Sequence, residues 1–452
     1  MSFIGFFLLL LCLVMFVRCW QNDSRKSFII TPFLFFMACE IVFVWPSTIY
    51  AQLTGISPDA YPLVVATTAS FSFMLAFLFF QNALPYKSNM PGEFLKKDLG
   101  LKYPQTYYLV SIALFSLMLF AMGLYLYQGM PVLVKAIVGL IKGQSGSESA
   151  AMVSSGRKYI TKAHYFGGSY RGQGLIRMFM RIGWPYLLSL SLLFYYKTRR
   201  FLWIAISCFL FLALFTFVAG DGTRSPFLWC IVYLVFLSSL ILKLEVRSIA
   251  IFVVCLFFLL VGISFLSPKL QSTLGQDNII SVVSSKLAKR IFLGNGKYNV
   301  YIIEFIRSGE LKHKNGDVHF QKLITSLPGI RYKVPFSHEL NKLIYPHRQT
   351  TSYSTSTYLG VAYVDFGFIG IIFVYFFLGA AVALSQFYLF TRKKRILEIP
   401  LIAFVIFYLG YMPLNGPIGF LAPFIVVLAF YIALKLCIEI QYFALKKTPQ
   451  RY

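Results

Sequence analysis

Long apolar stretches, separated by short charged or Gly/Pro-rich turns, recur from one end of this chain to the other. They cover positions 2–17, 28–50, 62–80, 107–127, 182–196, 201–218, 226–242, 249–266, 358–377, 400–412 and 418–435, within a few residues at each end. A bilayer core takes roughly 20 apolar residues of helix. Lipid offers backbone N–H and C=O groups no partner, so a spanning segment must be a helix or part of a closed barrel. Barrel strands alternate apolar and polar residues, whereas these stretches are continuously apolar. The reading is an all-α integral membrane protein, a single polytopic domain over 1–452, with about eleven transmembrane helices in a range of ten to twelve. The fifth and tenth stretches are short for a straight span, and the ninth could extend to Phe390. The first has no basic segment before it and no small-residue cleavage site, so it reads as a retained helix rather than a signal peptide.

Charge distribution orients the bundle. Only 13% of the 452 residues are charged, against about 25% in a soluble domain. Lys and Arg gather in cytoplasmic loops of membrane proteins. With the N-terminus outside, the inward loops hold Arg18, Arg25 and Lys26; Lys87, Lys96, Lys97 and Lys102; Lys197, Arg199 and Arg200; Lys243 and Arg247; and Arg392 to Arg395. The short outward loops 51–61 and 412–417 hold no Lys or Arg, and 219–225 holds only Arg224. The expected topology is therefore N-terminus out and C-terminus in.

Two long loops remain on the outer side, 128–181 and 267–357. They exceed ordinary connectors, and long loops translocate whatever their charge, so their basic character needs its own reason. The first opens with a nearly continuous apolar segment, 131–142, that suits a short interfacial helix. Net charge is +26, which in a soluble protein would point to nucleic acid. In this chain the cations punctuate apolar segments and fill the outer loops, which points instead to anionic lipid or phosphate. The arginines Arg157, Arg171, Arg177, Arg181, Arg224, Arg290, Arg307, Arg331 and Arg348 are the main candidate chemistry. A guanidinium grips phosphate oxygens with a bidentate fork, and outside the cell it can stabilise a leaving diphosphate without a metal ion. The plainer reading is contact with lipid headgroups, or, for Arg224, an ion pair with Asp221.

No Walker-type phosphate loop, H-E-x-x-H or G-x-S-x-G motif is present. The seven cysteines lie in or beside apolar stretches without a C-x-x-C pair and read as small hydrophobes. In the second loop His338 and Glu339 are candidates to take a proton from a sugar hydroxyl, with His347 and His313 behind them. Glu40 lies inside the second helix, where an ionisable group is costly and functional by default unless it is hydrogen-bonded within the bundle. Asp365 enters the ninth helix near its outer end, and Arg224 is one possible partner.

Three segments carry a family resemblance: Tyr170 to Gly174, reading YRGQG, before a helix; Gly222 to Ser225, GTRS, at a helix junction; and Tyr358 to Gly367, YLGVAYVDFG, after the second loop. With the helix count and the two basic loops, the chain resembles the O-antigen and oligosaccharide repeat-unit polymerases of Gram-negative bacteria. The resemblance implies a metal-independent glycosyltransferase of the bacterial inner membrane, with N-terminus and long loops in the periplasm. It implies transfer of the growing glycan from undecaprenyl diphosphate to the non-reducing end of a second undecaprenyl-diphosphate-linked unit. By motif, diphosphate binding falls on Arg171 and Arg224. Arg290, Arg331 and Arg348 are proposed for the same role by position. No cofactor is expected. The expected partners are lipid-linked oligosaccharides, membrane lipids and a regulator of chain length, with no nucleic acid. An O-antigen ligase and a flippase for lipid-linked oligosaccharide are the alternatives.

Overall fold

A computed structural model describes residues 2–24, 30–85, 90–97, 173–218, 224–242, 296–326, 336–347, 356–393 and 395–447, with scattered positions between 112 and 143 and at 294. The regular elements among them are all helices: α1 Ser2–Ser24, α2 Pro32–Cys39, α3 Trp45–Leu53, α4 Tyr61–Ala83, α5 Met90–Lys96, α6 Gln173–Thr198, α7 Phe201–Val218, α8 Arg224–Ile241, α9 Gly296–Arg307, α10 Asp317–Ser326, α11 Phe336–Ile344, α12 Tyr358–Thr391, α13 Glu398–Gly410 and α14 Met412–Lys447. The all-α expectation therefore holds.

The count of eleven spans does not follow from these residues. Among them three helices are long and apolar enough to cross a membrane: Pro32–Leu53, Tyr61–Ala83 and Tyr358–Thr391. A fourth arises if Glu398–Gly410 and Met412–Gly419, bent by 112°, form one broken span. The stretches at 107–127 and 249–266 lie largely or wholly outside the described residues. The described apolar segments Ile4–Arg18, Phe201–Ala213 and Cys230–Ile241 belong to α1, α7 and α8. Membrane character is nonetheless visible on α12. Ile369, Phe373, Phe377, Leu384 and Tyr388 are all exposed, and their spacing puts them along one helix face. Such a stripe suits hydrocarbon better than water.

Two aromatic cores hold the bundle. In the first, α4 lies along α12, and an added methyl at Gly379 would fall 2.2 Å from the Phe73 carbonyl oxygen. Only glycine permits that approach. Ser72 donates to the Ile372 carbonyl across the same contact at 2.7 Å. Phe36 stacks on Phe73 at 3.7 Å and Phe33 on Phe77 at 4.1 Å. The second core joins α6, α7, α8 and α13 through Tyr186, Phe194, Trp203, Tyr233 and Phe404. Its buried hydroxyls are satisfied: Tyr186 donates to the Leu397 carbonyl at 3.1 Å, and Ser189 to Tyr233 at 3.0 Å.

Four joints were not expected from the hydropathy pattern. The second helix runs as α2, a π segment Glu40–Val44 and α3. Pro46 lacks an N–H and crowds the carbonyl four residues back, which widens the helix at that point. The ninth helix takes its longer form, to Thr391, and breaks at Gly367, whose φ of 66° and ψ of −166° are non-helical. The segment 368–391 is long enough to cross a membrane by itself. The expected outward loop 412–417 is instead helical, bent against α13 and broken at Gly416 with φ 75°. The fifth helix begins at Gln173 rather than 182.

Basic residues close one end of α12. Lys97 Nζ donates to the carbonyls of Phe390, Thr391 and Arg392 at 3.3, 3.4 and 3.0 Å. A cation there satisfies carbonyls left without intrahelical partners and opposes the helix dipole.

Gly379→Ala is expected to lower stability by about 1–3 kcal/mol, the usual cost of overpacking, read as a fall in melting temperature of the purified protein in detergent. An unchanged melting temperature would mean that α4 and α12 do not meet this closely.

Candidate functional site

The densest polar cluster forms where the second long loop returns to the bundle. Asp365 sits on the first part of α12, with its side chain fully buried. A buried carboxylate must collect donors. It accepts the backbone N–H of Val318 at 3.2 Å and of His319 at 2.9 Å, at the start of α10. Free N–H groups and the positive end of the dipole are what a helix start offers. Asp365 also holds His319 Nδ1. The other ring nitrogen, Nε2, lies 3.0 Å from the Tyr358 hydroxyl.

This network assigns the ring tautomer. A carboxylate only accepts, so Nδ1 carries a hydrogen. In the neutral ring Nε2 then accepts, and the Tyr358 hydroxyl donates to it. The His319 ring is flanked by Tyr358 at 5.4 Å and Phe366 at 5.0 Å between centroids, with 15% of the side chain exposed. Lys322 lies one turn further along α10. Burial pushes its ammonium down to about 8, and the nearby Asp365 carboxylate works against that shift.

The YLGVAYVDFG segment is the seam to which the loop helices dock. An added methyl at Gly360 would lie 2.7 Å from Asn299 Oδ1. That side chain accepts from the Thr357 N–H at 3.1 Å and donates to the Thr357 hydroxyl at 2.6 Å. The positive φ at Gly367 brings its backbone against the His313 ring, 3.3 Å from the position a methyl would take. His313 Nδ1 lies 3.3 Å from the Val364 carbonyl oxygen, which also accepts the Lys314 N–H at 2.8 Å. Gly416, at the break in α14, leaves room for the Tyr358 ring, which an added methyl would meet at 2.5 Å.

The expected site residues fare differently. His338 and Glu339 share α11, and Glu339 is paired with Lys314 at 2.8 Å. Neither bonds to Asp365. Arg224 opens α8, but its side chain lies outside the described residues, as do Arg171, Arg290, Arg331 and Arg348 entirely. Arg307, one of the arginines of the second long loop, is tied to carboxylates. It grips Asp59 with two bonds of 2.9 Å, contacts Glu304 at 3.3 Å and lies 4.9 Å over the Tyr61 ring. Arg307 therefore clamps α9 to the loop between α3 and α4. The partner of Asp365 is His319, where Arg224 had been one candidate. His319 was missed because it has no motif of its own. Its signal was the need of a carboxylate in an apolar helix for a donor.

Deeper in the bundle, Glu40 is fully buried at the start of the π segment. Its two oxygens accept from the Tyr375 and Ser70 hydroxyls, each at 3.3 Å. Trp45 Nε1 donates to Ser70 at 3.1 Å. These bonds are those of the alternative reading, a carboxyl hydrogen-bonded within the bundle. Among the described residues, no three His, Cys, Asp or Glu side chains converge as metal ligands would. Comparison with family models, with curated proteins and with solved structures found no match.

The Arg307 clamp predicts a pH dependence. Hydrogen bonding from Arg307 holds the Asp59 carboxyl below its ordinary value. A depressed carboxyl contributes stability above its unfolded pKa, about 3.9, and loses it as pH falls through the folded value. Arg307→Ala should therefore melt below the wild type at pH 7 in detergent, and the gap should narrow as the pH falls below the ordinary carboxylate range. A gap that stays constant over that range would rule out the Asp59 linkage.

Proposed function

We propose that this chain is a metal-independent glycosyltransferase of the bacterial inner membrane. It polymerises repeat units carried on undecaprenyl diphosphate at the periplasmic face, giving O-antigen or a related surface polysaccharide. The observation that supports this best is the seam on the YLGVAYVDFG segment. Of the three segments that carry the resemblance, this one contacts the second loop: Tyr358 and Asp365 bond His319, Gly360 packs on Asn299, and Gly367 packs on His313. That is the arrangement a reaction at the outer end of the bundle needs, with polar groups held on a rigid apolar support.

The proposed topology is eleven spans, N-terminus out and C-terminus in. Two contacts support its assignment of loops to sides, because loops assigned to one side meet each other. Lys97 meets the end of α12 near Arg392, both assigned inside. Asp59 meets Arg307, both assigned outside. Diphosphate binding is proposed for Arg171, Arg224, Arg290, Arg331 and Arg348, because a permanently charged fork can hold a leaving diphosphate where no nucleotide drives the reaction. His338 and Glu339 remain candidates for proton transfer, although Lys314 already occupies one Glu339 oxygen.

The helix breaks at Gly367 and Gly416 favour a second reading, a transporter of lipid-linked oligosaccharide, since transporters build sites at broken helices. Against it, the break in α12 leaves a full-length span behind it, and it serves the docking of loop residues.

Arg224→Ala is expected to abolish chain growth while the protein stays in the membrane. On a lipopolysaccharide gel the polymer ladder should collapse to core carrying a single repeat, and a normal ladder would refute the assignment. Polymerisation by the purified protein should also persist in excess chelator. Activity lost to chelator and restored by a divalent cation would contradict the arginine mechanism.

A further inference from the structure

We propose that His319 is the general base of the reaction and Asp365 the residue that positions it. This rests on the polymerase reading and adds a residue to it. Glycosyl transfer to a sugar hydroxyl needs a group that removes the hydroxyl proton as the new bond forms. Such a base needs one nitrogen that accepts from a hydroxyl and the opposite one held by a partner that stabilises the cation produced; the acceptor hydroxyl would take the place that the Tyr358 hydroxyl holds on Nε2. His319 has both features. Asp365, fully buried, takes Nδ1–H and also anchors the backbone of the helix that carries the ring. Nε2 faces a hydroxyl already, that of Tyr358 at 3.0 Å. The His319 side chain is 15% exposed while Asp365 is 0% exposed, so the ring alone of this pair can be reached from outside. Glu339, by contrast, already has an oxygen engaged by the Lys314 ammonium.

In the step, the acceptor hydroxyl oxygen attacks the anomeric carbon of the donor chain and a C–O bond forms. The bond from that carbon to the diphosphate oxygen breaks, and the lipid diphosphate leaves with the electron pair. The hydroxyl proton passes to His319 Nε2. The resulting imidazolium is balanced by Asp365 and then returns its proton to water.

The test uses purified full-length protein in proteoliposomes, with a lipid-linked repeat unit as substrate. His319→Gln is expected to lower kcat by at least about 100-fold, the usual worth of a general base, with KM moved by less than about threefold. In His319→Ala, added imidazole should restore part of the rate, which a purely structural pin would not allow. Asp365→Asn, which keeps the shape, should lower kcat with KM unchanged. A His319→Gln variant within about tenfold of the wild-type kcat overturns the assignment. So does a folded His319→Ala variant, judged by its cooperative melt, that imidazole leaves inactive. A wild-type protein that extends no lipid-linked unit overturns the polymerase reading itself. A wild-type protein that extends chains beside an active His319→Gln overturns only the choice of base.

Discussion

A buried carboxylate organises the junction between the helices of the second loop and the bundle. Asp365 has no exposed side-chain surface, and an unpaired carboxylate there would cost several kcal/mol or lose its charge. It is instead met by two backbone N–H groups and an imidazole nitrogen. Each of those bonds fixes something else. The two backbone bonds anchor the start of α10. The imidazole bond sets the tautomer and orientation of His319. Through His319 the constraint reaches Tyr358, and through the Tyr358 ring it reaches the backbone of α14 at Gly416. These polar bonds join loop and bundle beside an apolar contact in which Ile302, Ile303, Val318 and Leu340 share the core of Leu359 and Val364.

The bundle departs from straight rods where that junction is built. Gly367 carries a positive φ that side-chain-bearing residues rarely adopt, and the turn leaves the Val364 carbonyl to His313 and Lys314. Gly416 does the same for α14 beside Tyr358. The π segment at Glu40 follows from Pro46 and turns an ionisable side chain toward Tyr375 and Ser70. Tyr375 and Tyr358 then lie with ring centroids 6.2 Å apart, so the deep polar group and the outer one share an aromatic wall.

Much of this was legible in the residues taken one by one. Continuous apolar stretches forced helices, and the seventh stretch, 226–242, lies within two residues of α8 at either end. The polar role of Glu40 within the bundle followed from the cost of a lone carboxylate in an apolar helix. The same argument announced that Asp365 needs a donor, but not which one. Arg224 and His319 are both remote from it in sequence, and periodicity carries no information about which remote segment folds back. Helix breaks were equally hidden. A glycine inside an apolar stretch reads as helix until a neighbour needs the space, as at Gly367.

By itself the sequence determined the class of this protein: apolar stretches too long and too uniform for a soluble core, hence helices, with basic residues marking their ends. It also determined which residues would be expensive to bury, since that cost belongs to the side chain. Only the tertiary structure decided how the cost is met. Pairing Asp365 with His319 brings together positions 46 residues apart in the chain, and closing Gly379 on Phe73 needs two helices at a particular crossing. These are choices of distance and orientation between elements. Local chemistry sets the demand for a partner, and only the packed chain selects which partner stands within reach.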